Sequence, residues 1–170
     1  LTSFDGYYLA AITAGMLVGM NPKETLTFKG VAVDGLTKIF TQTEIDDLIT
    51  SGVSVVEYDT RKGYRFVRGI TTYLSDQNLA KIEINCARVI DLLTMDLRTT
   101  LEDRYIGKPM YTGIDLAIKD TVILVLERWS KNGGLIGSDT IPPYRNVNVI
   151  LSNGVAIVSF EASPVIPLNY

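Results

Sequence analysis

An α+β fold is expected for this chain, and three features of the sequence predict it. Two long stretches repeat apolar residues at three- and four-residue steps, the period of a helix with one buried face. Two separate pairs of β-branched or aromatic runs are each folded about a polar or glycine-containing turn. No internal repeat, low-complexity tract or interdomain linker interrupts the 170 residues, so one domain is expected. The predicted architecture is two long helices and shorter helices packed with two separate β-hairpins, the C-terminal hairpin having open edges.

In chain order, Asp5 to Met20 reads as a helix with Ser3 or Asp5 as N-cap, stopped by Asn21-Pro22. Ala11, Gly15 and Gly19 lie on one stripe that lets another backbone approach, which favours a helix buried in the protein. The apolar run from Tyr7 to Met20 is too short to span a membrane and lacks the basic flank of a signal peptide. Thr25 to Val33 alternates loosely and is expected to run extended. Thr41 followed by Glu44 is a capping-box signature for a short helix through Ile49, closed by Gly52. Val53–Tyr58 and Tyr64–Ile70 flank Asp59-Thr60-Arg61-Lys62-Gly63 as a hairpin with a bulged or longer loop.

A single long helix is predicted from Leu79 to Tyr105. Ile82, Cys86, Val89, Leu93, Leu97 and Leu101 form its buried stripe, while Glu83, Arg88, Asp91, Arg98 and Asp103 mostly occupy the other face. Gly107 and Pro109 end it. Thr112 and Asp115 open a second long helix to about Lys131. Its centre, Thr121–Leu126, has strand propensity, but length and capping favour helix. After Pro142-Pro143, Val147, Val149 and Leu151 alternate with Asn146, Asn148 and Ile150. Ser152-Asn153-Gly154 turns the chain into a second strand, Val155–Glu161, followed by an extended, proline-punctuated tail, Pro164–Tyr170.

Composition removes several kinds of chemistry. Histidine is absent, and with it the usual general base and the commonest metal ligand. One cysteine, Cys86, permits neither an intrachain disulfide nor a multi-cysteine zinc site, and its position on an apolar helix face makes it a small hydrophobe. The net charge of −3 offers no basic excess for nucleic acid. Asp46/Asp47 and Glu102/Asp103 are adjacent on helices and diverge by about 100°, so neither pair converges on a substrate. Gly133, Gly134 and Gly137 lack the lysine and hydroxyl of a phosphate loop. Arg61, Lys62, Arg65 and Arg68, interleaved with Tyr58, Tyr64 and Tyr73, superficially suggest base stacking, yet alternate faces of a half-solvated hairpin require such a pattern anyway. No enzyme, cofactor or metal is expected from these residues.

The last hairpin points elsewhere. A two-stranded ribbon is marginal alone in water, so either it packs on the helices or the unpaired N–H and C=O rows of its edges recruit further strands. That suggests assembly.

The order of motifs along nearly the whole chain resembles the C-terminal domain of tail sheath proteins from contractile phage tails and related bacteriocin particles. Carrying it are Tyr8-Leu9-Ala10-Ala11-Ile12-Thr13-Ala14-Gly15-Met16-Leu17-Val18-Gly19, Leu26-Thr27-Phe28-Lys29-Gly30 and Leu48-Ile49-Thr50-Ser51-Gly52-Val53. Arg65-Phe66-Val67-Arg68-Gly69-Ile70-Thr71-Thr72-Tyr73 and Leu101-Glu102-Asp103-Arg104-Tyr105-Ile106-Gly107-Lys108-Pro109 complete it. Within these, Arg65, Arg68, Thr71, Thr72, Tyr73, Ile106 and Gly107 are the motif positions.

The resemblance implies a domain at the inner radius of a sheath, facing a rigid tail tube, with neighbours' extended arms adding strands to it. Contraction would drive the tube through the host envelope. Implied partners are other sheath subunits, the tail tube protein and the baseplate, with no nucleic acid, membrane or small-molecule substrate. The implied location is the virion tail, assembled in the host cytoplasm. Val147, Val149, Leu151, Val155, Ile157 and Phe160 belong to the hairpin that would receive the arms, and Lys119, Arg128 and Lys131 are candidates for facing the tube. The family's N-terminal arm, its outer domains and the last strand beyond Pro167-Leu168-Asn169-Tyr170 are not in this sequence, so residues 1–170 are expected to be one domain of a longer protein. Two other readings stand beside this one: the sheath of a bacteriocin or secretion-type injection particle, and a cytoplasmic α+β ligand-binding or regulatory domain with a concave pocket.

Overall fold

A computed structural model describes residues 5–168. Its elements are α1 (Gly6–Gly19), α2 (Gln42–Thr50), β1 (Val56–Asp59), β2 (Gly63–Phe66), α3 (Leu79–Ile82), α4 (Ile84–Tyr105), α5 (Ile114–Lys131), β3 (Tyr144–Ser152) and β4 (Val155–Ala162). Among the described residues the strands form two separate antiparallel pairs, β1 with β2 and β3 with β4. The predicted α+β fold with two hairpins is therefore the fold observed. Ser3, one of the two expected N-caps, and the last two residues of the expected tail lie outside the described residues. The chain forms two compact units, one of residues up to Ala87 together with those from Ile166, the other Arg88–Val165.

In the first unit, Leu26, Val31, Val56 and Phe66 form the core. The β1–β2 hairpin turns through Thr60-Arg61-Lys62, with Asp59 opposite Gly63. Asp59 accepts from the backbone N–H groups of Arg61 and Lys62. The first of these bonds is the main reason its carboxyl lies below the usual range. The expected extended segment runs beside β2 without becoming a regular strand. Phe28 N–H donates to Phe66 O at 2.8 Å and Val31 N–H to Tyr64 O at 2.8 Å, but Phe28 sits at φ 58° and breaks the ladder's regularity.

The capping box of α2 forms as predicted. Thr41 Oγ1 accepts from the Glu44 N–H, and the Glu44 carboxylate accepts from the Thr41 N–H. Gly52, at φ 76°, follows the last turn in the left-handed conformation that glycine tolerates. A bond from Lys38 Nζ, then the Thr41 backbone bond, holds the Glu44 carboxyl at about 2 against an ordinary 4.5. Because the folded value is depressed, this contribution is complete above about pH 4.5 and is lost as pH falls through about 2. Thr41→Ala is expected to lower stability by about 1 kcal/mol at neutral pH. In urea titrations, the gap between the two proteins should shrink between pH 4.5 and 2.

Two expectations are corrected here. The first helix is present but is not buried. Leu9, Met16, Leu17 and Met20 rest half-buried against the core, while Ala11, Gly15 and Gly19 face outward with no other backbone close to Gly15 or Gly19. Asp5 occupies the N-cap position, but its side chain makes no cap bond.

The single helix expected over Leu79–Tyr105 is two, because Glu83 is extended at φ −79°, ψ 127°. Its backbone bridges to Ile70, and the neighbouring Ile84 N–H donates to Gly69 O while Thr71 N–H donates to Ile82 O. Far from facing solvent, Glu83 is fully buried and its Oε1 accepts from Arg68 Nε at 3.0 Å and Nη2 at 2.6 Å. Periodicity could not show this, since one extended residue in a 27-residue pattern leaves the apolar stripe nearly in phase.

Cys86 is buried as expected. Desolvation first, and the Glu83 charge second, push its thiol up to about 11. It should not react with Ellman's reagent in the native protein at pH 8, and one thiol per chain should appear on unfolding.

In the second unit, α4 and α5 contribute Val89, Leu93, Leu97, Ile114, Ile118, Val122, Val125 and Leu126 to the core, joined by Leu135. Burial of Thr121, Val122, Val125 and Leu126 explains why a β-branched stretch stays helical. The N-cap of α5 is Gly113 at φ 89°, not Thr112 or Asp115; Asp115 lies in the first turn, where its charge suits the helix dipole.

Candidate functional site

The β3–β4 ribbon lies on α5 in the second unit. Its inner face carries Val147, Val149, Leu151, Val158, Phe160 and Ala162, all packed against the helical core. Its outer face exposes Ile150, opposite Ile157, and Val155. Of the hairpin residues singled out from the sequence, Val147, Val149, Leu151 and Phe160 therefore point inward, whereas Val155 and Ile157 point outward.

The turn sets the ribbon's hydrogen-bond phase. Asn153 and Gly154, at φ 50° and 78°, form a two-residue loop that makes Ser152 and Val155 the closing pair. Alternation along an antiparallel ladder then turns the N–H and C=O of Leu151 and Val149 on β3, and of Ala156 and Val158 on β4, away from the partner strand. Toward the other end, an irregularity between Arg145 and Asn148 places Asn146 at φ 57°. The Glu161 carboxylate clasps it by accepting from Asn146 Nδ2 and Arg145 Nε; these bonds, Asn146's first, hold that carboxyl below its usual value.

Both outer edges of the ribbon are without a strand partner among the described residues. Past the end of β4, however, the chain covers its own backbone. Ile136 N–H donates to Ser163 O, Val165 N–H donates to Gly134 O, and Leu135 bridges Pro164. The β4 edge is thus open only as far as this own-chain segment, and the extended tail predicted from Pro164 begins as part of it.

The motif positions lie apart from the ribbon in sequence and play structural roles. Arg65 Nε donates to Glu57 at 2.8 Å, its Nη2 lies 3.1 Å from Asp59, and its guanidinium stacks on Phe28. Arg68 holds Glu83. Thr71 Oγ1 donates to Lys81 O, and Tyr73 OH donates to Asp76 while accepting from Lys81 Nζ. Thr72 follows in the same loop, and its Cα lies against Gly52. Ile106 is exposed, and Gly107 at φ 75° follows α4. Arg65 and Arg68 are thus engaged by carboxylates of their own unit.

The basic candidates on α5 do not share a face. Lys119 and Arg128 are nine residues apart, about 180° around a helix. Arg128 Nη2 pairs with Asp96 at 2.5 Å, the same oxygen accepting from Trp129 Nε1 at 2.7 Å, and Lys131 pairs with Glu127 at 3.7 Å. A groove of about 90 Å³ beside them, lined by Thr100, Arg104, Thr121, Leu124, Val125 and Arg128, is well below the 300 Å³ or more of usual ligand pockets. Among the described residues no group of three or more potential metal-ligating side chains converges, and no helix is long and apolar enough to cross a membrane.

No family model matches the chain. Among curated proteins it is 30% identical over 166 residues to the tail sheath protein of Bacillus phage SP01, covering 96% of the chain and 28% of that protein. It is 28% identical over 162 residues to the tail sheath protein of Staphylococcus phage Twort, covering 94% and 27%. The chain therefore spans just over a quarter of the length of these relatives. Among solved structures, the crystal structure of a sheath tail protein from Listeria innocua shares its fold, with a TM-score of 0.78 at 19% identity over 96% of the chain and 40% of that protein. The contracted helical sheath of the anti-feeding prophage aligns with a TM-score of 0.76 at 16% identity, over 95% of the chain and 47% of that subunit. With the fold shared and the sequence likeness running almost end to end, the chain is a homologue of the tail sheath proteins of bacteriophages.

Proposed function

We propose that residues 1–170 are the C-terminal, tube-proximal domain of a longer contractile sheath subunit, which polymerises around a tail tube and shortens to drive it through a cell envelope. The observation that carries this reading is the sequence likeness to phage tail sheath proteins across 96% of the chain. The β3–β4 ribbon supports it physically: packed on one face and strandless at both edges, it offers backbone donors and acceptors to arms from neighbouring copies. Main-chain bonds of this kind tolerate side-chain drift, so a link of added strands persists while subunits rotate and slide. The work comes from new contacts between repeated subunits as a metastable array relaxes, which calls for no catalytic group.

Subunits, tube and baseplate are the proposed partners, and a virion tail built in the host cytoplasm the proposed setting. For the tube, the proposal narrows to Arg128 and Lys131, because one partner surface cannot meet Lys119 on the opposite side of α5 as well. Each is already held by an acid, so its contact is weak and breakable, as a sliding tube requires.

Electron microscopy of the full-length polypeptide tests the reading: striated or contracted tubes are expected, and a protein that stays dispersed at all concentrations would contradict it. With the proposed arms outside residues 1–170, those residues alone should elute as a monomer in size-exclusion chromatography. A ring or tube formed by them alone would show that the arms are not the link.

A further inference from the structure

Two asparagine–glycine pairs occur in the sequence, Asn132-Gly133 and Asn153-Gly154, and the fold treats them oppositely. Asn132 is the C-cap of α5, where its own N–H donates to Arg128 O and the Gly133 N–H donates to Ser130 O at 2.9 Å. The next N–H, that of Gly134, donates to Trp129 O, and Gly134 is buried against the Trp129 ring. Asn153 and Gly154 instead form the tip of the β3–β4 ribbon. Ser152 through Val155 are all exposed, and a Cβ built on Gly154 would meet nothing within 4 Å. With both residues at positive φ, the loop directs its central N–H groups away from the ribbon. Other asparagines are differently placed. Asn21 precedes a proline, which has no N–H, Asn146 and Asn148 precede branched valines, and Asn85 is fully buried in α4.

We propose that Asn153 is a site of spontaneous deamidation, and that its rearranged product unpicks the ribbon from the tip. The backbone nitrogen of Gly154 attacks Cγ of the Asn153 carboxamide. A bond forms between that nitrogen and Cγ, the Cγ–Nδ2 bond breaks, and Nδ2 leaves as ammonia with the proton given up by the amide. Water then opens the cyclic imide at either carbonyl, yielding aspartate or isoaspartate, and is the sole co-reactant. Glycine at the second position leaves the attacking nitrogen unshielded and lets the loop swing through the backbone angles that attack requires. Opening an exposed loop tip costs little, whereas the Gly133 nitrogen must first give up its bond at the end of a packed helix. The aspartate product keeps the turn, because Asp-Gly suits the same loop. Isoaspartate routes the main chain through Cβ and adds a methylene to it. The loop then no longer matches the strands, and the Ser152–Val155 closing pair that sets the register is lost. This chemistry goes beyond the sheath reading and does not depend on it.

Incubation of the folded chain in mildly alkaline buffer, followed by peptide mapping, tests the site. Deamidated and isoaspartyl peptide is expected at Asn153, accumulating several-fold faster than at Asn132. In urea, with the α5 cap undone, the two sites should react at similar rates. Asn153→Gly keeps residue types that suit the turn, so it should fold like the parent and show no modification there. Hydrogen exchange reads the consequence: in the isoaspartyl form the Ser152 and Val155 amides should lose protection, while Asn153→Gly aged in parallel keeps it. If Asn153 survives in the folded chain yet reacts in urea, the turn protects it and the proposal falls. Equal modification of Asn132 in the folded chain, or an isoaspartyl form with unchanged protection at the closing pair, overturns it as well. None of these outcomes bears on whether the chain is a sheath subunit.

Discussion

Replacing Ala156 by proline is expected to leave the domain folded and to abolish tube formation by the full-length subunit. Ala156 is the residue at which the two effects separate. Opposite Leu151, one step from the closing pair, its N–H points away from β3, so proline removes no bond of the ribbon itself. Its side chain is exposed, so no core contact is lost. What proline removes is an outward donor on the β4 edge, and its ring obstructs an incoming strand. A single hydrogen bond contributes about 1 kcal/mol, but the lesion recurs in every subunit, and linkage in a helical array needs every joint. Ile157→Pro is the control. That N–H belongs to the pair with Ile150, so its loss should destabilise the ribbon and lower the melting temperature of the isolated chain. Unchanged tubes from Ala156→Pro would place the strand-receiving edge on β3 or remove strand addition from the mechanism.

Much of this site was legible in the sequence because short-range chemistry sets it. Asn153-Gly154 has the residue types of a two-residue hairpin loop, and the alternation Val147, Val149, Leu151 identifies an inward face; both appear in the structure. The outward phase of β4 was less legible. Val155, Ile157, Val158 and Phe160 are all apolar, so alternation could not say which pair faces the helix, and the answer came from the register with β3. The basic cluster beside the first hairpin reads as the charged face of a half-solvated ribbon, but Glu57, Asp59 and Glu83 engage Arg65 and Arg68 across six to fifteen residues, pairings that helix or strand periodicity does not specify. The exposure of α1 was invisible for a related reason. An apolar helix reads as buried whether its cover lies in the same chain or in another.

Glu83→Ala is expected to cost the isolated chain about 2–4 kcal/mol, because it strips the carboxylate from a partly buried guanidinium and releases the joint between α3 and α4. An extended residue between two helices forfeits intrahelical bonds, and here the substitutes are specific: the Ile84–Gly69 and Thr71–Ile82 backbone bonds and both Arg68 bonds to Glu83 Oε1. The carboxylate is fully buried while the Arg68 side chain is 29% exposed, so some of the guanidinium's loss is recovered from water and the cost falls below that of a wholly buried pair. Alanine also favours helix, so residues 79–105 would be drawn toward the continuous helix that their periodicity predicts. Urea denaturation reads the stability, and a gain in 222 nm ellipticity reads the annealing. A double replacement, Arg68→Met with Glu83→Leu, should cost clearly less than Glu83→Ala, since it leaves no orphaned charge. If Glu83→Ala costs under about 1 kcal/mol, close to the typical cost of an ordinary substitution, the backbone bonds alone hold the break. The ion pair would then be incidental to the fold.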